Sequence, residues 1–187
     1  MNRFFHSVIA VAFATACTAA SSASSGHEIK KGDKLQTLAN LHPDMQRHLV
    51  YTLNYQLPGL IPVCADITVK DVGKKKLTFD YQGQEFEFEY EGFTEKAGVS
   101  FQQAVQNYLG PACDQARIKS LGNLDQEGVH SGHPQVGMTR EGVLLAMGRP
   151  PVHANADLSV AEWTYWRNRY GRMIVTFDAS GKVSGIR

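Results

Sequence analysis

Residues 74–90 read KKKLTFDYQGQEFEFEY, and the spacing within this stretch decides the first half of the fold. Phe86, Phe88 and Tyr90 alternate with Glu85, Glu87, Glu89 and Glu91. A period of two puts successive side chains on opposite faces of a strand, so one face is apolar and the other acidic. Gln82-Gly83 supplies a turn, and the segments 74–81 and 84–90 are predicted to pair as a hairpin. Four carboxylates spread along one strand face indicate solvation rather than an acid/base pair.

Working outward, Leu49–Tyr55 (LVYTLNY) reads as a strand that Pro58-Gly59 ends, and Leu60–Val72 as a second one with Ile67 and Val69 on one face. Lys34–Asn40 is predicted as a short helix. After the hairpin, Ser100 is an N-cap candidate with Gln103 at the capping-box spacing. Phe101, Val105, Tyr108 and Leu109 recur at helical spacing, and Gly110-Pro111 stops the helix. Residues 35–119 therefore read as a small β-rich module, either a bent sheet or an SH3-like barrel, with a C-terminal helix. Residues 120–136 hold Gly122, Gly128 and Gly132 and read as a linker. His130 and His133 fall in it without a common helical face, which favours a solvated loop over a metal site.

A second module is expected over 137–187. Thr139 is an N-cap candidate, Glu141 sits in the first turn, Val143, Leu144 and Met147 form the buried stripe, and Gly148 with Pro150-Pro151 ends the helix. Segments 162–168, 173–178 and 182–186 follow as three antiparallel strands. The fold class is thus α+β. Alternation assigns Trp163, Tyr165, Val175 and Phe177 to the core, leaving Trp166 and Ile174 on the opposite face, either exposed or covered by the first module. Arg167, Arg169, Tyr170 and Arg172 gather at the hairpin tip, a surface suited to an acidic patch or an anionic lipid headgroup, or else a solvated turn.

The chain has 187 residues, formal net charge +1 and 43% hydrophobic residues, which excludes a mostly disordered chain or one long basic surface. Its first sixteen residues read as a signal peptide: Arg3, then the nine-residue apolar run Val8–Ala16, interrupted only by Thr15 and too short to cross a bilayer. Ala14-Thr15-Ala16-Cys17 resembles a lipobox in which Cys17 is acylated, and Ala14-Thr15-Ala16 also fits ordinary cleavage. Residues 17–34 would then form a flexible tether, and Thr18 resembles the outer-membrane-sorted class of lipoproteins. Cys64 and Cys113 remain. In an oxidising compartment they suggest one bridge, the alternative being a pair of buried free thiols.

Gly137-Met138-Thr139, Val143 and Met147-Gly148-Arg149-Pro150 resemble the GMT…V…LG.P signature of the BamE/SmpA/OmlA outer-membrane lipoproteins. Trp163-Thr164-Tyr165-Trp166, Val175-Thr176-Phe177 and Gly181-Lys182-Val183 resemble that family's meander in order and spacing. The resemblance covers about residues 125–187. It implies a small α/β unit shared with β-lactamase-inhibitor-like folds, facing the periplasm and helping to assemble β-barrel proteins. In that family a helix precedes the GMT segment. Here the Gly- and Pro-containing 125–136 leaves that helix short or missing. The N-terminal module resembles the β-rich extension of longer bacterial envelope proteins.

No G-x-S-x-G, H-E-x-x-H, P-loop or dinucleotide fingerprint occurs, and His153 has no evident carboxylate partner. The sequence therefore points to a non-catalytic envelope lipoprotein that scaffolds or docks to a membrane-protein complex. No cofactor, metal or nucleic acid is expected. The alternative is an exported binding or inhibitor module acting on an envelope enzyme, soluble in the periplasm or secreted.

Overall fold

In the computed structural model, residues 28–155 and 157–187 are described. Cys17 and the signal and lipobox readings lie outside them. The first module is a curled six-stranded sheet built from β1 (Lys34–Thr37), β2 (Leu49–Tyr51), β3 (Asp66–Val72), β4 (Lys76–Tyr81), β5 (Gln84–Glu89) and β6 (Leu109–Gly110). Its order is β2-β5-β4-β3-β1-β6, antiparallel except where β2 runs parallel to β5. The anticipated hairpin is β4–β5, with Leu77 opposite Phe88 and Phe79 opposite Phe86. Phe79, Phe86 and Phe88 are buried, and the glutamates of β5 face outward.

Three elements of this module differ from the sequence expectation. Lys34–Thr37 is a strand, not a helix, because β3 and β6 pair with it on both sides and bury Leu35 and Thr37 at a period of two. Leu60–Val72 is not one strand. Ile61 bridges Leu41, the chain turns at Pro62–Cys64, and pairing resumes at Asp66. Cys64 takes φ 63° at that corner, which Thr37 braces by donating its hydroxyl to the Pro62 carbonyl (2.7 Å) and accepting from the Ala65 amide (2.9 Å). Likewise β2 stops at Tyr51, since Asn54 at φ 53° reverses the chain.

Two short helices pack beside the sheet, α1 (Gly92–Lys96) and α2 (Phe101–Gln106). Ser100 and Gln103 form the expected capping box. The helix ends earlier than its apolar spacing suggested. Leu109 leaves it to pair with Thr37 in β6, and the sheet satisfies backbone groups that a longer helix would have used.

After α3 (Gln115–Lys119), the presumed linker holds a helix, α4 (Asn123–Ser131), capped by left-handed Gly132. This corrects the loop expected there. His130 is therefore helical, and His133 follows the cap. Gly128 is tolerated because it lets Met138 pack closely: a Cβ there would lie 2.3 Å from the Met138 Cε. The helix is held by its function toward the next one. Asp125, 4% exposed, accepts from the Thr139 amide (2.7 Å) and the Thr139 hydroxyl (2.9 Å). Thr139 in turn caps α5 (Arg140–Met147) by accepting from the Gly142 amide at 3.0 Å. The buried carboxylate also faces the positive end of that helix.

Gly142 is the complement of Asp125. A Cβ at this position would fall 2.1 Å from Asp125 Oδ1. Helix propensity alone favours alanine over glycine by about 1 kcal/mol. The steric conflict reverses that sign, and Gly142→Ala is expected to destabilise by about 2 kcal/mol in urea unfolding. A neutral or stabilising result would contradict the Asp125–Gly142 packing.

The second sheet is the meander β7 (Glu162–Trp166), β8 (Arg172–Phe177) and β9 (Val183–Ile186), ordered β7-β8-β9. Trp163, Tyr165, Val175 and Phe177 are buried as expected, together with Met138, Val143 and Met147. Arg140 closes the solvent edge of this core. Its guanidinium lies 4.2 Å from the Phe177 ring centre and 5.3 Å from that of Trp163, and it donates to the Leu158 carbonyl at 2.7 Å.

A polar seam joins the two sheets. Beyond Leu144, whose carbonyl accepts from the Gly148 amide, the last carbonyls of α5 have no partners within the helix. The first module supplies them. Asn40 donates to the Ala146 carbonyl (3.1 Å), His42 Nε2 lies 3.0 Å from the same oxygen, and Asn54 donates to the Met147 (2.7 Å) and Arg149 (2.9 Å) carbonyls. Tyr165 donates its hydroxyl to the Gly148 carbonyl at 2.9 Å. Gly148 itself sits at φ 72°, ψ −179°, a conformation essentially restricted to glycine, with Tyr108 and Asn54 against it. Burial holds the His42 imidazole below its ordinary pKa, partly opposed by the Ala146 carbonyl.

Candidate functional site

The β7–β8 turn is an ordered loop. Arg167 donates its amide to the Gly171 carbonyl at 2.8 Å, and Asn168 Oδ1 accepts from the Tyr170 (2.8 Å) and Gly171 (2.9 Å) amides. An Asx-type turn of this kind replaces missing backbone pairing. It projects Arg169 and Tyr170 outward, and Tyr170 is 86% exposed.

The first module reaches this turn through backbone bonds. The Gln56 amide donates to the Trp166 carbonyl at 2.8 Å, and Tyr55 bridges Trp166 in parallel. Tyr55 is thereby set beside the hairpin tip. Between the two lies an open groove of about 820 Å³, lined by Asp44, Arg47, Tyr51, Tyr55, Leu57, Glu91, Phe93, Asn168, Arg169 and Tyr170. Tyr51 and Tyr55 meet edge to face at 5.3 Å.

Next to the groove, three rings stack across the module boundary. Phe93 lies 5.4 Å from His153, and His153 lies 6.2 Å from Trp166. Lys96 stands over Phe93 and Arg172 over Trp166, at 5.9 and 5.7 Å from the ring centres. Trp166 is thus half-buried rather than bare, and its buried Nε1 makes no hydrogen bond among the described residues. Burial holds His153 below its usual pKa.

Charge in the groove is mixed. Arg47 faces Asp44 at 3.8 Å. Burial, and next the Glu89 charge, push the Glu91 carboxyl up, while Arg169 pulls it down. Burial also raises the Tyr55 hydroxyl, Glu91 adding to this and Arg169 opposing it. Among the described residues, Arg167, Arg169 and Arg172 make no ion pair within 4 Å.

Of the six surface residues singled out from sequence, Arg169 and Tyr170 line the groove. Trp166 and Arg172 buttress it. Arg167 is exposed at the loop's base, and Ile174 is half-buried on the same meander face as Trp166 but does not line the groove. Sequence reasoning missed Tyr51, Tyr55, Glu91, Phe93 and His153. Each comes from a segment whose own periodicity carries no sign of the contact. Cys64 and Cys113 have their sulfurs at disulfide distance, with Cα atoms 5.3 Å apart. Among the described residues no cluster of three or more His, Cys, Asp or Glu could hold a metal ion, and no helix is long and apolar enough to cross a membrane. No family model, curated protein or solved structure matches the chain.

Proposed function

We propose that this protein is a non-catalytic docking subunit of the bacterial cell envelope. It is tethered to the outer membrane through acylated Cys17 and engages an envelope complex, such as the machinery that assembles β-barrel proteins, with the end of the molecule that carries the β7–β8 turn. The observation that supports a docking role is the groove itself. Tyr and Arg side chains are the residues most often energetically dominant in interfaces. Here Tyr170 and Arg169 are projected by a braced loop beside Tyr51, Tyr55 and Phe93. The helix–meander unit of residues 137–187, with its GMT segment capping α5, is what a BamE-like domain would need. The bent six-stranded sheet is read as an envelope-type extension of it. The Cys64–Cys113 pair suits an oxidising compartment.

The reading is tested by placing a photo-crosslinking residue at position 170 in cells and identifying adducts by mass spectrometry, alongside membrane fractionation of wild type and Cys17→Ser. Adducts with an outer-membrane assembly component, and release of the Cys17→Ser protein from the membrane, are expected. A wild-type protein that fractionates as soluble, with adducts only to a soluble enzyme, would instead indicate an exported inhibitor.

A further inference from the structure

We propose that the groove takes an extended segment of a partner polypeptide, with one acidic side chain against Arg169 and one aromatic or large apolar side chain against the Tyr55 and Phe93 rings. This rests on the docking reading and gives the partner its chemistry.

Shape is the first reason. A concave site of about 820 Å³ with walls from both modules admits a chain segment. A planar bilayer would touch only the rim.

Charge is the second. Arg169 makes no ion pair within 4 Å among the described residues, and neither do its neighbours Arg167 and Arg172. Glu91 attracts Arg169 without a contact within 4 Å, so a ligand carboxylate would supply the direct, bidentate pairing that no carboxylate among the described residues makes. Asp44 and Glu91 also line the groove; Arg47 offsets Asp44 from 3.8 Å, and Glu91 would repel a second anion close by. The site therefore selects a segment with a single acid over a polyanion such as a nucleic acid or polyphosphate.

Preorganisation is the third. Phe93 is already stacked on His153, the Tyr51 and Tyr55 rings already meet edge to face, and the backbone at Tyr170 is already set by the Asn168 turn. Rings fixed before binding lose little rotamer freedom on binding. Tyr51, Tyr55, Leu57 and Phe93 line the same groove as Arg169, so an aromatic residue near an acid finds apolar and cationic partners in one site.

The probe is a phage-displayed library of random peptides, selected against the full-length protein, followed by titration of a synthetic selected peptide. Enriched peptides are expected to place an Asp or Glu within a few residues of a Phe, Tyr, Trp or Leu. Arg169→Glu and Phe93→Ala are each expected to weaken binding about tenfold or more, the usual scale of a hot-spot residue. Lys119→Ala, outside the groove, should leave it unchanged. Near-ultraviolet circular dichroism checks that each variant is folded, and a peptide whose acid is changed to Lys should regain affinity for Arg169→Glu. Flotation with phosphatidylglycerol vesicles is the second arm. Enrichment without an acidic residue, equal affinity of Arg169→Glu, or Arg169-dependent vesicle binding with no peptide enrichment would each overturn the proposal. Peptides that bind as expected, with no envelope adduct from position 170 in cells, would uphold the groove chemistry while refuting the envelope-docking role.

Discussion

Removing the Cys64–Cys113 bridge is expected to lower stability by about 4 kcal/mol, the chain-entropy value for a loop of this size. The two cysteines are 49 positions apart, and the loop between them contains β3, β4, β5, α1, α2 and β6. Cys64 forms the corner before β3, and Cys113 follows β6, where its amide donates to Gln36 Oε1 at 2.9 Å. Both ends are therefore already anchored beside β1, and the native state has little to lose when the bond opens. The cost falls mainly on the unfolded chain, which gains the freedom of the open loop. With a urea dependence of about 2 kcal/mol per M, the midpoint should fall by about 2 M. Equilibrium unfolding with and without reductant, and of the double Cys64→Ala/Cys113→Ala variant, measures this. A midpoint that does not move would mean that the bridge does not constrain the unfolded chain.

Asn40→Leu is expected to cost about 3 kcal/mol, from buried backbone groups left without partners. Asn40 is fully buried. Its carboxamide donates to the Val129 carbonyl at 2.7 Å and the Ala146 carbonyl at 3.1 Å, and it accepts from the Val63 amide at 2.8 Å. Its own amide donates to the Leu145 carbonyl at 2.9 Å. One side chain thus joins the corner before β3, the end of α4 and the end of α5. Leucine has similar volume and fills the space, so the transfer of an apolar group inward does not explain a loss. His42 still reaches the Ala146 oxygen, which confines the damage to the Val129 carbonyl and the Val63 amide. A loss under about 1 kcal/mol would show that these groups find other partners and that the seam tolerates rearrangement.

How much of this was legible in the sequence varies by element. The β4–β5 hairpin was, because Phe86 and Phe88 alternate with glutamates and Gln82-Gly83 turns between them. So was α5, because Thr139 and Gly148 bracket its apolar residues. The meander was legible from its own alternation. By contrast β1 resembled a helix, since four residues carry no periodicity strong enough to outweigh pairing with β3 and β6. Helix α4 was hidden by its glycine. Gly128 weakens helix propensity, and the close fit of Met138 against it is visible only in three dimensions. Nothing local marks Asp125, yet it sets the start of α5. At the groove, Arg169 and Tyr170 could be picked out as an exposed tip, whereas Tyr55 and Phe93 could not, because nothing local marks them as neighbours of residue 169.

The sequence by itself determined the α+β class, the hairpin, the capped helix and the meander, and the pairing of the two cysteines as one of two alternatives. These follow from side-chain period and turn chemistry, which act over a few residues. Only the tertiary structure decided that the two sheets meet through Asn40, His42 and Asn54, and that their meeting opens a groove beside the β7–β8 turn. The reason is that the C-terminal carbonyls of α5 demand partners but do not specify which part of the chain provides them. That choice is made by packing between segments about a hundred residues apart, as in the bond from Asn54 to Met147, 93 positions along.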